Sequence, residues 1–499
     1  MYAPDAHVVV YCPQCWWSDD WDPRDYGRTY DFSVPFFEQY HAFFREVPLL
    51  GLSLDLQTTR ESPYNNHAGY LKNCYLLFQA NHNENCAYGF GLLRNHSVFD
   101  CSAISESELC YDTIHAWRDN RCVGVTHTNN SLASAFLRDS DNCQYCFASA
   151  NLRNKQYYLF NKPYTREQYE KEMRTWDLGS YHTYMEAKAK AAEHGKQYPP
   201  KPYWNDFSTD VTGNYVFESK NCKECYEVIN AQDSKYLMLL DSVVRDCYDI
   251  SSWGDNLSLS YEGCVVGEQA TNVRFCQESG IHLHDAEYCK LSTGGSHHFG
   301  CVSMKKGDYY IFNRPYTKER YAALREKIVA HMNDMPYIDK KGKRYRYGEF
   351  FPIALSPFGY NETMAKYLFP LSREHALDKG YTWRERPEKK YAVTTSASNL
   401  PDHVRDAPDN LLQEVVGCAI CGRGYRIIPT ELAFLREQNL PLPRRCPFCR
   451  IEEHMRQWTK GVSTEERACS ACGAPFQTPY RAQDYPQLYC LSCWRAKML

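Results

Sequence analysis

Along most of the chain the apolar residues come in short β-prone runs broken by polar turns, not in the spacing of amphipathic helices. "NCYLLF", "CYDTI", "CYEVI", "YLMLL", "CYDIS" and "LSLSY" are such runs. Cysteines recur among them: Cys101, Cys122 and Cys143 follow one another at i+21, and Cys225 and Cys247 at i+22. A coil of about 20 to 22 residues made of two or three short strands describes a right-handed parallel β-helix, each coil hydrogen-bonded to the next and like residues stacked. The competing arrangement, two Cys-rich β-sandwiches, would alternate at intervals of about 8 to about 12 residues without a longer period.

The body is duplicated. "YYLFNKPYTREQY" (Tyr157 to Tyr169) matches "YYIFNRPYTKERY" (Tyr309 to Tyr321) at an offset of 152, and "KNCYLLFQANHNENCAY" (Lys72 to Tyr88) matches "KNCKECYEVINAQDSKY" (Lys220 to Tyr236) at an offset of 148. Residues 64–170 and 212–333 therefore read as two solenoid modules, each ending in a Pro-containing turn and a helix capped by Thr165 or Thr317. Residues 18–63 form an N-terminal connector, and 171–211 a helix followed by a Pro-rich linker. In 334–388, a small helical connector, Asn361 and Ser372 are expected N-caps and Gly380 a C-cap, and 389–417 reads as a further linker.

Composition narrows the class. With 499 residues, 40 Tyr and 24 Cys, the chain needs several cores and favours strands. No signal-like leader and no apolar run approaching the length of a membrane span is encoded, which points to the cytoplasm and away from membranes. In a reducing compartment the cysteines are expected as zinc ligands and buried thiols, not disulfides. Net charge is −4, yet residues 418–499 carry twelve Lys and Arg against seven Asp and Glu, so the tail is the basic part.

That tail also holds the plainest chemistry. Cys418-x2-Cys421 with Cys446-x2-Cys449 (418–450), and Cys469-x2-Cys472 with Cys490-x2-Cys493 (451–499), are the spacings of two four-thiolate zinc ribbons, each first pair followed by Gly422 or Gly473 in a tight knuckle. Arg444, Arg445 and Arg450 can balance thiolate charge or form a phosphate-binding surface. Near the N-terminus, "YAPDAHVVVYCPQCW" (Tyr2 to Trp16) aligns with "YRAQDYPQLYCLSCW" (Tyr480 to Trp494) without gaps. Cys12 and Cys15 therefore read as the second half of a third ribbon (1–17) whose first pair is expected upstream of Met1.

The stretch "CAICGRGYRIIPTELAFLREQNLPLPRRCPFCR" (Cys418 to Arg450) resembles the family described as probable zinc-ribbon domains. "CWWSDDWDP", "YDFSVPFFEQ", "YYLFNKPYT" and "LSPFGYNET" resemble, over most of the chain, an uncharacterised Cys-rich family of candidate-phyla-radiation bacteria. The second resemblance implies no activity.

Three further constellations could carry chemistry. In "GIHLHD" the alternation of Ile281 and Leu283 places His282 and His284 on the outer face, with His297 or His298 one strand away, as a surface metal or acid–base site or as ordinary exposed residues. Glu227 and Asp249, one proposed coil apart, would lie roughly 5 Å apart and could serve a carbohydrate-active β-helix enzyme, a hydrolase or lyase. Cys143, Cys146, Cys222 and Cys225 either join the two modules through a metal or stack as buried thiols, the latter favoured by the ladder. No phosphate-binding glycine loop, serine elbow or His-Glu-x-x-His run occurs. The reading as a whole is a zinc-binding interaction scaffold. It presents a Tyr-rich solenoid surface and meets a protein partner or nucleic acid through its ribbons, with no small-molecule substrate expected.

Overall fold

The computed structural model describes residues 2–385 and 392–498. Two parallel β-solenoids form its centre. The first is a seven-stranded sheet from Asn66–Lys72 to Arg138–Asp141, in which every neighbouring pair is parallel. The second runs from Thr209–Phe217 to Asp308–Ile311 within a 12-stranded sheet. This stacking is that of the β-helix and not of sandwiches.

The coil is much shorter than the cysteine spacing predicts. Register partners in the first module stand at i and i+12: Asn66 with Phe78, Tyr75 with Ala87, Thr126 with Arg138. From Ser62 to Leu152 every third residue is buried, and from His67 to Phe160 the residue before each inward position lies in the left-handed region. Four three-residue sides therefore close one coil. Its perimeter is about 40 Å at full extension, so only four modest side chains fill it: Cys74, Leu77, Ala80 and Asn83 in one coil, Cys86, Gly89, Leu92 and Asn95 in the next.

Left-handed backbone costs about 1–2 kcal/mol at most residues, less for Asn and Asp. The corners accordingly hold Asn73, Asn85, Asp100, Asp112, Asn130, Asp139, Asn142, Asn151 and Asn154. Inside, thiols and hydroxyls do the same work. Cys86 Sγ donates to Glu84 O (3.2 Å) and Cys101 Sγ to Phe99 O (3.2 Å), as Ser107 Oγ does to Ser105 O (2.8 Å) and Ser134 Oγ to Leu132 O (3.0 Å). Cysteine is frequent here because it is small, apolar enough for the core, and able to satisfy the carbonyl two residues back.

Two sequence readings change as a result. The step from Cys101 to Cys122 to Cys143 is one coil plus three sides, so the three thiols fall on three different inner columns; Cys110 is the thiol beneath Cys122. The two repeat offsets, 148 and 152, also find their reason. In the second module the corner column Tyr236, Asp249, Glu262, Phe275, Tyr288 moves to i+13 at each coil, seen in the partners Lys235 with Tyr248, Tyr248 with Tyr261 and Cys264 with Gln277. Four coils with one extra residue each account for the difference of four.

The solenoids lie side by side and run in opposite directions. His127 Nε2 stands 2.7 Å from Tyr215 OH, His115 Nε2 lies 3.6 Å from Glu227 Oε1, and Glu278 neighbours His67. Each module closes with an antiparallel hairpin, Tyr158–Leu159 with Lys162–Pro163 and Asp308–Ile311 with Arg314–Pro315. A helix follows, capped by Thr165 or Thr317 as expected. Helix Tyr181–Gly195 packs on the first module through Tyr184, against Tyr111 and Phe136. Helix Phe36–Glu46 precedes the first module but packs on the second, where Phe36 and Phe37 meet Tyr288 and Phe36 meets Phe299 and Phe312.

In the connector, Ser372 caps Arg373–Asp378 and Gly380 closes it at φ +82°. Asn361 is not a cap: its side chain bonds Arg384 O (2.8 Å) and accepts from Arg384 N (3.0 Å), tying two segments together. Residues 386–391 of the expected connector and linker lie outside the described residues. From 392 the expected linker is packed, with Ala397, Leu400, Val404 and Leu411 in one core with Phe99 and Phe434.

Candidate metal centres

The first centre grows from a turn in the hairpin of Val416–Gly417 and Gly424–Tyr425. Cys418 N donates to Arg423 O (2.9 Å) and Gly422 N to Cys418 O (3.0 Å), with Gly422 left-handed at φ +69°. A Cβ there would meet nothing within 4 Å, so conformation rather than space selects glycine. The second pair opens a helix: Cys446 is the N-cap of Pro447–Trp458, and Cys449 sits in its first turn. The second centre repeats this with Gly473 at φ +75° and helix Leu491–Met498 after Cys490.

In each group the four sulfurs lie within 4.8 Å of one another. Cys418–Cys449 and Cys421–Cys446 are 3.8 Å apart and Cys472–Cys490 3.9 Å. Zinc–sulfur bonds of about 2.3 Å in a tetrahedron give edges of about 3.8 Å, so the ligand sets fit zinc. Amides point at the sulfurs: Ile420 N (3.5 Å) and Cys446 N (3.2 Å) at Cys418, Ala471 N (3.4 Å) and Cys490 N (3.3 Å) at Cys469. Burial raises the Cys418 and Cys469 thiols, but backbone N–H groups, led by that of Cys421 at Cys418 and that of Cys490 at Cys469, outweigh it and hold both down to about 6.

The first centre is anchored to the first solenoid, and the second to the linker that follows it. One turn apart on helix Pro447–Trp458, Arg450 and His454 reach Asp100 (2.5 Å) and Asp112 (3.1 Å), one coil apart. A helix rises about 6 Å over four residues and neighbouring strands lie about 4.8 Å apart, so the two spacings nearly match. Arg450 also pairs with Glu431 (2.8 Å) and stacks over Tyr88, while Lys188 and Tyr184 share Asp112. Burial raises the Asp112 carboxyl, and Lys188 with His454 more than reverse it, holding it well below the usual carboxylate range. In the second centre Trp494 Nε1 donates to Pro199 O (3.0 Å) and Thr478 Oγ1 to Pro202 O (2.7 Å).

The basic residues expected to face phosphate are thus committed internally. Arg450 is 5% exposed. Arg444 donates to Ala397 O, Leu400 O and Pro401 O beneath Tyr181, and Arg445 pairs with Glu453. Exposed positive charge remains on the tail at Arg426, Lys460, Arg481, Arg495 and Lys497, and it also gathers on and just beyond hairpin Tyr337–Ile338/Arg344–Tyr345. There Lys340, Lys341, Lys343, Arg344 and Arg346 form no ion pair among the described residues.

The other candidates do not assemble. Glu227 stacks in the column of Leu239 and Ser252, whereas Asp249 follows Tyr236 and Glu262, with a whole strand between them. Glu227 instead accepts from Trp458 Nε1 (2.8 Å) in the seam, where burial pushes its carboxyl up to about 8. His282 and His284 are exposed either side of buried Leu283, as alternation requires. His297 bonds Ser296 Oγ, His298 is buried on Gly307 O (2.8 Å), and among the described residues no third ligand joins either His pair. Cys143, Cys146, Cys222 and Cys225 are ladder thiols bonded to the carbonyls of Asp141, Gln144, Lys220 and Lys223. Cys12 and Cys15 are exposed, 3.1 Å apart, with no third ligand among the described residues. The clamp residues Asp100, Asp112, Glu431 and His454 are not among the sequence candidates; the signal for them is that Asp100 and Asp112 differ by one coil.

No protein-family model and no curated protein matches the chain. Among solved structures, a Desulfovibrio desulfuricans G20 chain described as a "putative acetyltransferase" is similar over 53% of this chain and 68% of that one, at 8% identity and a TM-score of 0.09. So low a score carries no argument about this chain. No helix among the described residues is long and apolar enough to cross a membrane.

Proposed function

We propose that this chain is a non-catalytic scaffold in which two zinc ions lock ribbon domains onto a pair of antiparallel β-solenoids, leaving solenoid surface for a protein partner. The observation that carries this reading is the pair of four-cysteine groups with zinc-sized edges, each built on a knuckle, the first seated on the first module and the second on the linker after it. Surface aromatics arranged in ladders, Tyr145 on Tyr157 and Tyr236 beside Tyr248, suit protein contacts with one apolar face and one polar tip. The carbohydrate-enzyme alternative loses its carboxylate pair, because Glu227 is sealed under Trp458 and Asp249 stands on another column. A contact with nucleic acid is less favoured through Arg450, which is buried, and Arg444, which is spent on carbonyls, and would draw instead on exposed cations of the tail or of the 337–346 hairpin.

Native mass spectrometry of the purified chain tests the reading. Two zinc ions per chain are expected, one after Cys418→Ser and one after Cys469→Ser, each loss loosening its own ribbon to protease. A fully folded chain with no bound metal would refute it.

A further inference from the structure

The N-terminal segment is built as a finished ribbon is built on the side away from its knuckle. Cys12 caps helix Pro13–Trp17, and Trp16 N bonds Cys12 O (2.8 Å) as Trp494 N bonds Cys490 O (2.8 Å). Trp16 Nε1 donates to Pro48 O (3.3 Å), which also accepts from Ser303; Trp494 Nε1 donates to Pro199 O, which also accepts from Asn151. Lys305 stands over Trp16 as Arg153 stands over Trp494. Ser303 and Asn151, like Lys305 and Arg153, differ by 152, the offset of the duplication. The half-ribbon thus sits on the end of the second module where the last ribbon sits on the end of the first.

What a knuckle touches in the complete ribbons is present here and uncovered. In both, the residue after the first cysteine donates to the carbonyl two residues before the third: Ser470 N to Leu488 O (2.9 Å), Ala419 N to Arg444 O (3.0 Å). The equivalent acceptor is Val10 O. Val9 O and Tyr11 O are taken by Leu49 N and Gly51 N (both 2.9 Å), so by strand alternation Val10 O points away from that neighbour. Leu488 is fully buried under its knuckle, whereas Val10 is 41% exposed, beside Val9 at 40% and Trp17 at 46%.

We propose that Cys12 and Cys15 are half of a third tetrathiolate zinc centre, completed by a Cys-x2-Cys-Gly knuckle from outside residues 1–499 that docks along Val9–Tyr11. The proposal rests on the reading that the two complete groups bind zinc. Two thiolates do not complete a structural zinc shell, and the free acceptor and bare apolar rim select a knuckle as the missing half. A second copy's Cys12–Cys15 pair is disfavoured because it opens a helix and brings no amide to Val10 O.

Cobalt(II) substitution of the full chain, with a synthetic peptide of residues 465–478 as the probe knuckle, tests this. The chain alone is expected to take two cobalt ions with tetrahedral thiolate spectra, and adding peptide raises that signal by half. The rise is absent in the Cys12→Ser/Cys15→Ser chain, which keeps its two ions. No third cobalt with peptide at high excess overturns the proposal; so does a third site filled without peptide at one metal per two chains, with a dimer by light scattering. Empty C-terminal sites would instead count against the zinc-scaffold reading, and the two failures are told apart by which sites remain unfilled.

Discussion

The same corner column carries acids in both solenoids, yet among the described residues only the acids of the first are paired with basic side chains. Tyr88, Asp100 and Asp112 of the first module correspond to Tyr236, Asp249 and Glu262 of the second, at offsets that grow by one per coil from 148. In the first, Arg450, His454 and Lys188 cover the column and Asp112 is held strongly ionised. In the second, no cation pairs with Asp249 or Glu262 among the described residues, and burial pushes both carboxyls upward, Glu262 further raised by Asp249. An acidic column is therefore not a docking site in itself. It becomes one where a helix presents Arg450 and His454 at a spacing close to that of the coils and seals the pairs from water.

The comparison breaks first at Arg450. Replacing it with Met leaves Asp100 and Glu431 buried without their cation, a loss expected at about 3–5 kcal/mol. Asp249→Asn with Glu262→Gln removes acids that form no ion pair among the described residues and keeps an acceptor for Tyr261 OH (3.1 Å), with an expected change within about 0.5 kcal/mol. Denaturant midpoints for the two variants should differ by several-fold in shift; equal shifts would mean that the covered column is no clamp.

The seam between the modules is the next largest effect and depends on pH. Burial raises Glu227 from 4.5 to about 8. Between those values the folded chain keeps a proton that the unfolded chain releases, so this group's stabilisation is whole below pH 4.5 and is lost as pH rises through 8. Glu227→Gln lacks that loss, and its melting temperature relative to the parent should be higher at pH 8 than at pH 5. A difference independent of pH would show that Glu227 is ionised in the seam. His115, pushed down to about 3 by burial, works the other way and weakens the fold as pH falls from 6.5.

The smallest effect belongs to the knuckle. Gly422→Ala forces a side chain into left-handed backbone at a cost of about 1 kcal/mol, while Gly195→Ala, in a helix with open space around it, should not weaken the fold. A zinc-exchange rate rising several-fold in the first variant alone would place the strain at the metal site.

Much of this is legible in the residues. The eight cysteines of the two C-terminal groups can be read because a four-thiol metal site needs its Cys-x2-Cys spacing locally, within a turn or the first residues of a helix. The duplication is equally plain, and Thr165 and Thr317 cap the helices they precede, since a cap acts within three residues. Coil length does not follow from Cys101, Cys122 and Cys143, because thiols occupy any inner column and their spacing mixes whole coils with single sides. The true marker is a small or apolar residue at every third position, a period shared by neither a helix nor a flat strand.

By itself, then, the sequence determined the local chemistry: four-cysteine sets, capped helices, a repeated solenoid unit and the small side chains its narrow interior admits. Only the tertiary structure decided what those groups do. It spent Arg444, Arg445 and Arg450 on carbonyls and carboxylates, buried Glu227 under Trp458, separated it from Asp249, and seated Cys12 and Cys15 on the far module. The physical reason is distance along the chain. Ligand spacing and caps depend on neighbours within a few residues, whereas a charge is paired or free according to contacts such as Asp100 with Arg450, 350 residues apart.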